Sequence, residues 1–187
     1  MSTENTTLAV KAAAANDIVN NNIALAMAAG LTPIPWVDFA AITAVQLKLG
    51  KELADYYSVD YKEEQVKGTV VALLGAYAST AGATTVATAL AKFIPGLGAV
   101  IGAVTLPVLA GALTYAVGKV FIAHLASGGT FLSLNAPDVQ AGFLREVENG
   151  KQMMSAKTKK IGTKIAEFSD KVESRIDATL VPYTNAR

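Results

Sequence analysis

Residues 93–118, FIPGLGAVIGAVTLPVLAGALTYAVG, decide how this chain is read. The stretch holds no charged residue, with Lys92 before it and Lys119 after it. As a helix rising about 1.5 Å per residue it reaches roughly 39 Å, enough to cross the roughly 30 Å of a bilayer's hydrocarbon with some tilt. A second uncharged stretch, residues 68–91, precedes it and is bounded by Lys67. Only Lys92 and a Pro-Gly-x-Gly turn separate the two, so the chain reads as an apolar helical hairpin over 68–127.

The composition agrees with this. Of 187 residues, 52% are hydrophobic and 17% charged, against about 25% charged in ordinary soluble domains. The net charge is +1, so the total implies no particular partner, and the avoidance of 68–118 by charge matters more. There is no cysteine, which removes disulfides and thiolate chemistry and fits a reducing compartment. The start, MSTENTTLAVKAAAAND, has no basic segment followed by an apolar one and does not read as a signal peptide.

Ahead of the hairpin, residues 1–6 read as polar and frayed, and a helix is expected from Thr7. Leu8, Ala12, Ala15, Val19, Ile23 and Met27 recur at helical spacing. Asn16, Asn20, Asn21 and Asn22 interrupt the apolar run, and Pro33 and Pro35 end it, which argues for an amphipathic core helix rather than a membrane span. A turn at 30–38 leads into a helix ending near Tyr57. Asp38 lies near its positive N-terminus, Phe39, Ile42, Val45, Leu49 and Leu53 share its apolar face, and Lys48, Lys51, Glu52 and Asp55 its wet side. Asp60, with Glu63 three residues on, suggests a capping box for the next helix.

Within the hairpin, Gly68, Ala72, Gly75, Ser79 and Gly82 form a small-residue stripe, and Gly98 and Gly102 a GxxxG. Gly75, Gly82, Gly98 and Gly102 are therefore the expected close-packing positions, within or between chains. Pro107 predicts a kink, and Ser127-Gly-Gly129 a helix stop. The lone His124 reads as a surface or interfacial residue. From Asp138 to about Leu180 the pattern is one long amphipathic helix, with Ile161, Ile165, Phe168, Val172, Ile176 and Leu180 in a row. Lys157, Lys159, Lys160 and Lys164 cluster beside the start of that row and are the candidates for contact with anionic lipid. Solvated lysines on a helix packed against protein are the plainer reading. No aromatics interleave them, so nucleic acid is not expected.

No reaction is announced. Gly118-Lys119 is followed by Val120 and is not a phosphate loop, no G-x-S-x-G or H-E-x-x-H occurs, and one histidine without cysteine builds no metal site of the usual kind. No catalytic residue, metal or cofactor is assigned, and the chain reads as a non-enzyme.

Two segments carry a resemblance: AGLTPIPWVD from Ala29 to Asp38 with Gln46, and KFIPGLGAVIG from Lys92 to Gly102 followed by LTYAVGK from Leu113 to Lys119. Together they resemble a bacterial family of unknown function over roughly residues 20–130. It includes the YcjF-like inner-membrane proteins and the C-terminal regions of some Era-like and immunity-related-type GTPases. The Tyr-Gly usual in that family after the second helix is Tyr56-Tyr57 here. The resemblance implies a helical, membrane-associated module that often accompanies a GTPase, though no GTPase lies in this chain, and it brings no catalytic residues.

The expected fold is all-α: a helical bundle around a Gly/Ala-rich hairpin in residues 1–130, then a connector and long amphipathic helix in 131–187. The expected function is a non-enzymatic membrane-associated scaffold or adaptor, homo-oligomeric, with a separate GTPase as the partner that the resemblance implies. It would sit on the cytoplasmic side of a bacterial inner membrane or in the cytoplasm with membrane association. A soluble helical interaction module and a pore-forming or membrane-inserting protein are the alternatives. If the hairpin spans, Lys62, Lys67 and Lys119 flank its outer ends and place both termini in the cytoplasm.

Overall fold

The computed structural model describes the backbone of residues 2–29, 37–91 and 98–184, and side-chain surroundings for 6–7, 9–29, 42–80 and 107–160. It is all-helical over the described residues: α1 (Ser2–Ala29), α2 (Val37–Tyr57), α3 (Glu63–Ala91), α4 (Gly98–Ala126) and α5 (Ala136–Thr184). α1 starts at Ser2, so the polar residues expected to fray are helical. Asn16 and Asn22 do not interrupt it. Asn16 Nδ2 donates to the Ala12 carbonyl (2.7 Å) and Asn22 Nδ2 to the Ile18 carbonyl (2.9 Å), so each amide folds back onto its own helix.

Helix ends follow local chemistry. α2 stops at Tyr57, with Ser58 in the left-handed region (φ 55°). The Val59 amide donates to Ala54 and the Ser58 amide to Asp55, a Schellman pair. α4 ends the same way on Gly128 (φ 87°), with Gly129 donating to His124 and Gly128 to Leu125, as Ser127-Gly-Gly129 led one to expect. The capping box is a correction. α3 begins at Glu63, its first turn closes on the Lys62 carbonyl, which accepts from Val66 (3.2 Å), and Asp60 is an exposed loop residue ahead of it. Glu63 and Glu64 in that first turn still suit the helix dipole. At α5 it is Asn135 that precedes the helix, its side-chain amide donating to Asp138 (3.0 Å).

α4 is the core helix. From Pro107 to Ile122 no residue of it is exposed, as befits a helix apolar on every side. It runs continuously through Pro107, packs most extensively on α5 and α1, then α2, and least on α3 among the described residues. The core joins Val19 and Ile23 of α1, Leu49 and Leu53 of α2, Val70 and Leu73 of α3, Phe121 of α4, and Phe143, Val147 and Met154 of α5. The start of α5 is thus part of the same body. Phe131, in the α4–α5 connector, closes one end edge-to-face on Phe121, ring centroids 5.0 Å apart.

Among the described residues, the closest helix approaches fall on glycines outside the expected four, of which only Gly75 has its surroundings described. A Cβ on Gly118 would lie 2.6 and 2.8 Å from the two methyls of Val19. One on Gly111 would lie 2.8 Å from Met27 Cγ, and one on Gly150 would lie 2.9 Å from the Ala112 backbone. Gly75 is exposed, with nothing within 4 Å of an added Cβ. The surroundings of Gly82, Gly98 and Gly102 lie outside the described residues, as do those of Pro33, Pro35, Asp38, Lys164 and the row from Ile161 to Leu180.

Candidate functional site

The sheath around α4 is polar outward and bonded inward. Asn22 is fully buried, and its amide donates to Glu52 of α2 while Lys48 reaches both Glu52 and the Asn22 carbonyl oxygen. Burial pulls the Glu52 carboxyl up, but the hydrogen bonds from Lys48 and Asn22 and the lysine's charge outweigh it, so its pKa is held below the ordinary value. Lys119, at the C-terminal end of the uncharged stretch, donates to Asn16 Oδ1 at 3.0 Å. Asn16 and Asn22, two of the four asparagines that break the apolar pattern of α1, are the pegs that fix it to α4 and α2, a role visible only once the helices are side by side.

On the far side of α4, Lys151 of α5 lies 5.1 Å above the Tyr77 ring of α3 and pairs with Glu148 at 2.7 Å. Burial pulls the Lys151 ammonium down, but bonding to Glu148 and Tyr77 prevails and raises its pKa. Burial also raises the Tyr61 hydroxyl, so it stays a neutral donor, and it bonds the Leu47 carbonyl at 3.3 Å. His124 Nε2 lies 2.9 Å from the Thr130 carbonyl and 3.0 Å from Ser133 Oγ, tying the α4–α5 connector. These groups are used in holding helices together. Among the described residues no group of three His, Asp or Glu side chains is placed to hold a metal.

Of the lysines expected to meet lipid, Lys157, Lys159 and Lys160 are exposed on α5, just beyond the buried Met154. α3 presents a different surface. Its buried line is Val66, Val70, Leu73 and Leu74, and its outer face of Gly68, Val71, Ala72, Gly75, Ala78 and Ser79 is open. Gln46, one of the residues that carry the family resemblance, is fully buried on α2, and neither side-chain polar atom has a hydrogen-bond partner.

The chain matches a family model, "Domain of unknown function (DUF697)", over residues 1–152. It belongs to that family. The DUF697 match runs through all of α1 to α4 and into α5 as far as the contact of Gly150 with α4. The chain is also 34% identical over 145 residues to "Magnetosome membrane protein 22" of Magnetospirillum gryphiswaldense, an alignment covering 78% of this chain and 74% of that protein. No solved structure matches the chain.

Proposed function

We propose that this DUF697 protein is a non-enzymatic, membrane-associated helical scaffold or adaptor, homo-oligomeric and lying on the cytoplasmic side of a bacterial inner membrane. The observation that carries the reading is the 34% identity to a protein named for a membrane, in a chain whose residues 68–118 hold a single charge, Lys92. The YcjF-like resemblance supports a separate GTPase as the client of such a scaffold. The exposed Lys157, Lys159 and Lys160 supply the first attraction to anionic lipid, roughly 1 kcal/mol for each lysine near the surface.

The test is fractionation of native cells. The chain is expected in the membrane pellet at low salt, and its recovery wholly in the soluble fraction refutes the reading. A second reading, a soluble interaction module, is favoured by one observation: the described part of α4 is covered chiefly by α1, α2 and α5, whose outer faces carry charge. It predicts a soluble oligomer indifferent to vesicles.

A further inference from the structure

By length and composition Pro107–Ala126 suffices to cross a membrane, yet 67% of it is buried inside the protein. Burial in a core accounts for the lack of charge from Pro107 to Gly118 of α4, because a helical segment enclosed on all sides is apolar on all sides. Burial does not account for the described part of α3 beyond Lys67. The other surface helices carry charge on their open faces: Lys11 and Asp17 on α1, Lys51 and Asp55 on α2, Arg145 and Glu148 on α5. α3 carries none after Lys67, although Val71, Ala72, Gly75, Ala78 and Ser79 are open. Residues 68–91 of α3 and 98–118 of α4 are thus equally free of charge, although the described part of the first is open and that of the second enclosed.

Their lengths agree with a bilayer. Residues 68–91 of α3 rise roughly 36 Å and residues 98–118 of α4 roughly 31 Å at about 1.5 Å per residue, against roughly 30 Å of hydrocarbon. Charges mark the boundaries: Lys67 and Lys119 at the two outer ends, Lys92 between the helices. The closed body does not present this pair to lipid. α1, α2 and α5 cover the described part of α4, and their charged outer faces exclude them from hydrocarbon.

Resting on the membrane-associated reading above, we propose that the α3–α4 hairpin leaves the sheath of α1, α2 and α5 and crosses the bilayer as two antiparallel helices. The sheath helices then lie on the near surface. Their inner stripes, such as Ala15, Val19 and Ile23 of α1 or Phe143, Val147 and Met154 of α5, exchange α4 for the acyl boundary, as amphipathic helices in an interface do. Lys119 exchanges Asn16 for lipid headgroups at the near end of its helix. Lys157, Lys159 and Lys160 bring the closed body to an anionic surface, each worth roughly fivefold in affinity.

A disulfide lock tests the opening. The natural chain has no cysteine, and a Cβ at Gly118 falls 3.3 Å from Val19 Cβ, close to the roughly 3.5–4.5 Å separation of a disulfide. Val19→Cys/Gly118→Cys is oxidised, and its fold checked by circular dichroism and gel filtration. It is then added to vesicles of phosphatidylglycerol and phosphatidylethanolamine, with a reduced sample alongside. The oxidised protein is expected to pellet at low salt and wash off in alkaline carbonate, and the reduced protein to resist carbonate. Gly118→Leu, which pushes α1 outward, is expected to raise the carbonate-resistant fraction severalfold over the parent. Equal resistance of oxidised and reduced forms overturns the opening, and so does salt-sensitive binding that carbonate always reverses. Either result leaves membrane association standing. Absence of any vesicle binding overturns the membrane reading itself.

Discussion

The closest approach of α1 to α4 yields a quantitative test of the packing. Replacing Gly118 by alanine adds one methyl where the two Val19 methyls already lie 2.6 and 2.8 Å from the new atom, well inside an ordinary contact. Val19 cannot rotate away, since a β-branched side chain in a helix holds essentially one χ1 well. α1 must therefore shift. Overpacking of this kind costs about 1–3 kcal/mol, while glycine to alanine inside a helix returns about 0.8–1 kcal/mol. The net expectation for Gly118→Ala is a loss of between about zero and 2 kcal/mol. Gly75→Ala is the control: the same change, inside a helix, with nothing within 4 Å of the new atom, expected to stabilise by about 0.8–1 kcal/mol. Val19→Ala alone removes two buried methyls and costs about 2 kcal/mol. In the double variant the clashing atoms are gone, so the losses are less than additive by about 1–3 kcal/mol. Urea unfolding of the four proteins, with unchanged slopes, measures the cycle. If Gly118→Ala stabilises as much as Gly75→Ala, or the two losses at 19 and 118 simply add, the reasoning fails.

Three further outcomes follow from single positions. Gln46→Met removes two buried polar atoms that have no partner and is expected to stabilise by about 1–3 kcal/mol in chemical denaturation; destabilisation would mean that Gln46 makes a bond in the native protein. Because the native pKa of Glu52 lies below 4.5, its stabilising share is present above that pH and is lost as pH falls through the native value. The parent should therefore lose stability more steeply than Glu52→Gln in acid, and parallel curves would count against the network with Asn22. Ser58 and Gly128 both sit at left-handed helix ends, so Ser58→Gly should raise the thermal midpoint and Gly128→Ala lower it, each by about 1 kcal/mol of stability; shifts in one direction for both would refute the assignment of the caps.

The sequence by itself determined the helical class and much of the helix layout. Tyr57 and Gly128 end their helices as read, because Gly and the spacing of apolar residues act within a turn or two of chain. It also determined that 68–118 is nearly free of charge. It did not determine which face of that stretch meets protein. Only the tertiary structure decided that the described part of α4, from Pro107, is enclosed while that of α3, to Thr80, stays open on one side, since enclosure depends on helices that arrive from remote parts of the chain. The same holds for glycine. Gly75 and Gly118 look alike in a one-dimensional pattern, yet a partner side chain 99 positions away in the chain, Val19, makes one indispensable, and empty space leaves the other free. Asn16, Asn22 and Gln46 follow this rule. Polarity inside an apolar run is visible in the sequence, but whether it is satisfied by Lys119, by Glu52 or by nothing depends on what the fold sets opposite it.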